Sequence, residues 1–97
     1  MGSQVQLEGE VETLLPPLYK VILLNDDVTT FDFVIELLQE LFNKSFEDAV
    51  RLTFQIHREG RGVVGIYPKE IAEAKVELVH NRARMAGFPL QAVLEPE

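Results

Sequence analysis

Two places in this 97-residue chain hold residue types that could do chemistry together. The first is Asn25-Asp26-Asp27, a polar run directly after the apolar stretch Leu18–Leu24. The second is His57, which shares helical spacing with Val50 and Thr53 and follows Ile56. An ammonium group offers three hydrogen-bond donors and no acceptor. It is satisfied by oxygen or neutral imidazole lone pairs with a negative charge nearby. The Asn25 side-chain oxygen, the Asp26 carboxylate and an unprotonated His57 supply that set. Two antiparallel helices joined by a short loop bring the start of the first near the end of the second. His57 then faces Asn25 and Asp26 across a gap floored by Val34, Leu37, Thr53 and Ile56. Such a site reads a free α-amino terminus whose first side chain is large and apolar. A lysine ammonium fits less well, because its long stem displaces the apolar group.

Plainer readings stand beside this one. Asn-Asp-Asp after a strand is commonly only a turn leading into a helix. A single histidine at a helix end is commonly solvated or stabilised by the helix dipole. Spacing alone leaves both open. Enzyme readings have less support. Asp26 and His57 with Thr29 or Ser45 lack a nucleophile-elbow pattern. Asp26, Asp27, His57 and His80 lack metal-ligand spacing. No catalytic residue, metal or cofactor is therefore expected. Phe31, Phe33, Phe42, Phe46 and Phe54 recur at helical spacing and read mostly as core.

The elements that must position these groups follow from periodicity and punctuation. Pro16-Pro17 sets a stiff entry, and Leu18–Leu24 reads as a buried strand. Thr29 is the expected cap of a first helix, with Asp32 at its third position. Phe33, Val34, Leu37, Leu38, Leu41 and Phe42 mark that helix's apolar face. Asn43-Lys44 interrupts, Ser45 caps a second helix, and Gly60 stops it. Phe46, Ala49, Val50, Thr53 and Ile56 form the second helix's apolar face. Residues 62–67 read as a strand, and Pro68 opens a third helix that runs to about Ala86. Ile71, Ala74, Lys75, Leu78, Arg82 and Met85 share one stripe of it, and Ala72, Val76, Val79 and Ala83 widen the apolar face. A last strand spans Leu90 to Leu94. The predicted order is β-α-α-β-α-β: an α+β fold with a three-stranded antiparallel sheet packed on three helices.

Composition bounds the rest. The chain is 46% hydrophobic and 26% charged, which is globular. It has no cysteine, excluding a disulfide scaffold and a thiol nucleophile, and weakly fitting a reducing cytosol. Sixteen acids against nine bases give a net charge of −7, which suits a cationic ligand or basic partner and disfavours nucleic acid. No apolar run is long enough to cross a bilayer, so no membrane role is expected. Residues 1–17 carry Glu8, Glu10 and Glu12 and no base, and read as a flexible acidic extension; residues 18–97 form the expected core.

The order of motifs resembles the ClpS family, bacterial adaptors that hand N-degron substrates to the ClpA unfoldase of the ClpAP protease. The resemblance lies in Tyr19-Lys20-Val21-Ile22-Leu23-Leu24-Asn25-Asp26-Asp27 with Thr29, Phe33 and Val34. It continues in Ile56-His57, Gly65-Ile66-Tyr67, the run Glu70–Val76 and Pro89-Leu90-Gln91, and covers about residues 17–95. It implies the small α+β fold shared with the C-terminal domain of the ribosomal stalk protein. It implies a cytoplasmic adaptor, not an enzyme, binding N-termini that begin with Phe, Leu, Tyr or Trp. Asn25, Asp26 and His57 would hold the α-amino group. Thr29, Phe31, Val34, Leu37, Thr53 and Ile56 would surround the first side chain. Glu70 and Lys75 would dock the N-terminal domain of ClpA, or of a ClpC-type unfoldase, and the N-terminal extension would engage the unfoldase during delivery. Phe31 and Thr53 stand where methionine is common in the family. Phenylalanine is stiffer than methionine, and threonine removes apolar volume, so the pair moves the cavity rather than closing it. The competing class is a stalk-like interaction module with no pocket for an N-terminus; a small hydrolase using His57 would instead show turnover.

Overall fold

A computed structural model describes residues 16–97. The acidic extension lies almost wholly outside the described residues. Strand β1 is Leu18–Leu24, helix α1 is Phe31–Leu41, and helix α2 is Phe46–Glu59. Strand β2 is Arg61–Pro68, helix α3 is Lys69–Ala86, and strand β3 is Gln91–Pro96. The sheet order is β2-β1-β3, antiparallel throughout. The expected fold class and element order are therefore present.

β1 is the central strand, and its alternation decides which face the helices cover. Tyr19, Val21 and Leu23 join the core with Val34, Leu37, Leu38 and Leu41 of α1, Ala49 and Ile56 of α2, and Ala72, Val79 and Ala83 of α3. Ile22 points the other way yet is only 1% exposed. It lies between Val63 and Val93 by register, and an Arg61–Glu95 ion pair of 2.6 Å joins the two outer strands across β1. A bulge in β2 opposite Val21/Ile22 leaves Val64 unpaired and lets Val64 and Gly65 both turn toward the helices.

Each helix ends where local chemistry requires it. Ser45 Oγ accepts from Asp48 N at 3.1 Å, as expected of a cap. Gly60 (φ 88°) and Gly87 (φ 80°) close α2 and α3 in the left-handed region. Asn43 closes α1 there too, at φ 54°. At the start of α1 the expectation needs correction. The cap is Thr30, whose hydroxyl accepts from Phe33 N at 3.2 Å. Thr29 is occupied elsewhere, as described below.

Two expected faces also need correction. In α3 the buried stripe is Ala72, Val79 and Ala83, while Ile71, Leu78 and Met85 are exposed. Small residues let the helix axis approach the sheet closely, and the bulkier stripe is left outside. Phe46 and Phe54 of α2 are likewise exposed instead of buried in the core; Phe42 is buried, and Phe31 and Phe33 are half-buried.

Candidate functional site

The loop between β1 and α1 is organised by one side chain. Asp26 Oδ1 accepts from the backbone N–H of Val28 at 2.8 Å and of Thr29 at 2.7 Å. Asp26 Oδ2 accepts from the Thr29 hydroxyl at 2.8 Å. Partial burial pushes this carboxyl up, but the bonds from Thr29 and Val28 outweigh it and leave it below its ordinary value. The site therefore carries a fixed negative charge. Thr29, expected to cap α1, instead locks the carboxylate in place.

The next link ties this loop to the end of α2. Asn25 N donates to Gly60 O at 2.9 Å, and Gly60 N donates to Ile56 O at 2.8 Å. The end of β1 is thus held against the C-terminal turn of α2, which carries His57. The Phe31 ring, at the first position of α1, packs edge-on against His57 with centroids 5.1 Å apart. The far ends of the α1–α2 hairpin do meet, as the sequence predicts.

Beneath the loop is a cavity of about 20 Å³ lined by Leu23, Leu24, Asn25, Asp26, Thr29, Phe31, Val34, Thr53, Ile56 and Leu90. Seven of these lining residues (Asn25, Asp26, Thr29, Phe31, Val34, Thr53 and Ile56) were predicted from sequence. Two other predicted residues sit elsewhere. Leu37 does not line the cavity and is buried in the core. His57 is exposed and stands outside the cavity, against Phe31. Thr53 donates its hydroxyl to Ala49 O at 2.7 Å, so the polarity that distinguishes it from methionine is spent within its own helix. What it can offer the cavity is a methyl group.

Leu23, Leu24 and Leu90 are the lining residues that sequence reasoning missed. A signal for Leu90 existed. Gln91 pairs with Leu24 in the register of β1 and β3, so the residue just before β3 falls beside the end of β1. Finding it needed the strand order as well as the strands.

Glu70 and Lys75, the predicted partner-docking pair, are not side by side. Five residues apart on a helix, they point about 140° apart. Glu70 is exposed and borders a groove with Pro16, Pro17, Pro68, Lys69 and Ile71. Lys75 is half-buried, donates to Leu41 O at 2.5 Å, and lies 5.7 Å from the Phe42 ring and 5.6 Å from the Tyr67 ring. Burial pushes the Tyr67 phenol up, so it stays neutral beside that ammonium. Among the described residues no three acidic, histidine or cysteine side chains are grouped to hold a metal. No described helix is long and apolar enough to cross a membrane.

The family model described as "ATP-dependent Clp protease adaptor protein ClpS" matches residues 15–93. The chain belongs to the ClpS family. A protein of Nautilia profundicola named ATP-dependent Clp protease adapter protein ClpS is 53% identical over 95 residues, covering 98% of each chain. One of the same name from Herminiimonas arsenicoxydans is 54% identical over 91 residues, covering 94% of this chain and 89% of the relative. The structure of Agrobacterium tumefaciens ClpS2 bound to L-phenylalaninamide superimposes with a TM-score of 0.82 at 41% identity, covering 86% of this chain and all of that one. Membership in ClpS makes the chain an adaptor of the Clp protease, not an enzyme. The site then needs to bind and present; it has no bond to break. The ClpS motifs Leu24-Asn25-Asp26 and Ile56-His57 are the segments that the Asn25–Gly60 hydrogen bond draws together.

Proposed function

We propose that this adaptor binds protein N-termini beginning with Phe, Leu, Tyr or Trp and delivers them to the ClpA (or ClpC-type) unfoldase in the cytoplasm. The observation that carries the reading is an ionised, immobilised carboxylate at the rim of an apolar cavity. The α-ammonium is received by Asp26, the Asn25 side-chain oxygen and His57. The first side chain enters between Phe31, Val34, Thr53 and Ile56, and burying it contributes roughly 1.5–3 kcal/mol for a Leu or Phe. Support comes from the relative that binds L-phenylalaninamide, a ligand with a free α-amino group, an aromatic side chain and no carboxylate. Partner docking falls on the α3 surface around Glu70, with Lys75 fixing α3 against the end of α1.

A peptide panel varying only the first residue, free and N-acetylated, tests this by fluorescence anisotropy. Free Phe-, Leu-, Tyr- and Trp-starting peptides should bind. Acetylated copies should not, because acetylation removes the charge and the donors, and Ala- or Glu-starting peptides should not bind. Equal binding of free and acetylated peptides overturns the reading and leaves an interaction module without an N-terminus pocket.

A further inference from the structure

The cavity under the Asp26 loop, at about 20 Å³, holds about one water molecule. A cavity that takes benzene measures about 150 Å³. A Leu or Phe side chain is therefore fully enclosed only if a wall moves. Leu23, Val34, Thr53, Ile56 and Leu90 are all buried, four of them as part of the core cluster, and close-packed interiors yield little. The less buried walls are mostly tied as well: Leu24 by strand pairing, Asn25 by its bond to Gly60, and Asp26 and Thr29 by their bonds to each other. Phe31 is different: it is half-buried, sits at the first position of its helix, and is held only by ring contacts. Its ring is held from outside by two edge contacts, with Phe54 at 5.0 Å and 86° and with His57 at 5.1 Å and 69°. Phe54 does not line the cavity and is 47% exposed, so half of a large aromatic side chain stays in water while its ring meets Phe31 at a right angle.

We infer that Phe54 is a positioning residue for first-residue selection, bracing the Phe31 ring as the movable outer wall of the pocket and so setting the size of side chain admitted. The inference rests on the N-terminus reading above and adds its size filter. Entry of a side chain displaces Phe31 toward the outside and disturbs its perpendicular contact with Phe54. An indole requires the largest displacement and an isobutyl group the smallest. The brace therefore weighs most against Trp and least against Leu.

The experiment measures affinities of Trp-, Phe- and Leu-starting peptides for the full chain and for Phe54→Ala, Phe54→Leu and Phe54→Tyr, each corrected for folded fraction by circular dichroism. Loss of the edge contact in the Ala and Leu variants should raise the Trp-to-Leu affinity ratio by about three- to tenfold, the worth of one such aromatic pair. Tyrosine keeps the edge contact and should leave the ratio at the wild-type value. A parallel loss for all first residues, an unchanged ratio in the Ala and Leu variants, or a Tyr variant that shifts like Ala overturns the inference. Free against acetylated Phe peptide on the unmodified chain separates the two ideas. If that pair is not distinguished, the N-terminus reading itself fails; if it is distinguished and the ratio stays fixed, only the role of Phe54 falls.

Discussion

Three hydrogen bonds converge on the Asp26 carboxylate, from Val28 N, Thr29 N and the Thr29 hydroxyl. A carboxylate has about four acceptor positions. One remains, on Oδ2, for a ligand donor. The turn role and the proposed binding role are therefore compatible in one side chain: the loop's own donors aim the carboxylate and keep it ionised. Asp26→Asn separates the two roles, because an amide oxygen still accepts from both backbone N–H groups but brings no charge. Peptide affinity should fall by about ten- to a hundredfold, the usual worth of a hydrogen bond to a charged group, while the chain stays folded. The pH dependence has a definite sign. A carboxyl lowered by folding stabilises the fold above its ordinary value of 3.8, and that contribution is lost as pH falls through the lower folded value. The stability gap between wild type and Asp26→Asn should thus be level from neutral pH down to about 4 and close below it. Denaturant melts across that range check this; a gap that closes already between pH 7 and 5 contradicts a lowered carboxyl. How far the site was legible is also clearest at this scale. Asn25, Asp26, Thr29 and Phe31 could be named because turn chemistry and helix spacing are local. The exchange of capping roles between Thr29 and Thr30 was hidden, since either threonine can cap and only the carboxylate's position decides which is free.

At the scale of elements, β2 and α2 meet through a residue with no side chain. Gly62 faces inward on β2, and a Cβ built there would lie 2.7 Å from Ile56 Cγ1. That atom is held near the branch point of a buried side chain and has little room to swing away. Ile56 also lines the cavity, so pressure from Gly62 passes directly to the pocket wall. Gly62→Ala should destabilise the chain by about 1–3 kcal/mol, the usual range for overpacking, and weaken binding of Phe-starting peptides. Thermal melts and anisotropy measured together check it; wild-type stability with wild-type affinity would show that β2 has slack. Paired helix and strand ends were readable here because Ser45, Gly60 and Gly87 are strong local signals. The α3 face was not. Two stripes at helical spacing competed, and the bulkier one containing Ile71, Leu78 and Met85 lost because close approach to the sheet favours Ala72 and Ala83. Hydrophobicity summed along a helix does not register that geometric preference.

For the whole molecule, the cavity proposed for capture and the groove proposed for docking fall on different surfaces. The cavity is built from the β1–α1 loop, the hairpin of α1 and α2, and Leu90 just before β3. The groove beside Glu70 is built from the start of α3 and from Pro16-Pro17, where the acidic segment joins the fold. Among the described residues, none that lines one lines the other. On the proposed function, a ligand can then be held while the α3 surface remains open to the unfoldase. This separation makes deletion of residues 1–15 informative. The described walls of the cavity all lie between Leu23 and Leu90, so the truncated chain should bind Phe- and Leu-starting peptides with affinity within about twofold of the full chain, a change too small to reflect a lost contact of ordinary strength. Degradation of a Leu-starting reporter by the unfoldase and protease should nevertheless slow, because the acidic segment is proposed to engage the unfoldase after capture. Anisotropy on the truncated chain and reporter fluorescence with the assembled protease give the two readouts. A collapse of peptide affinity would mean that the segment completes the pocket, and unchanged degradation would mean that delivery runs through the folded core alone.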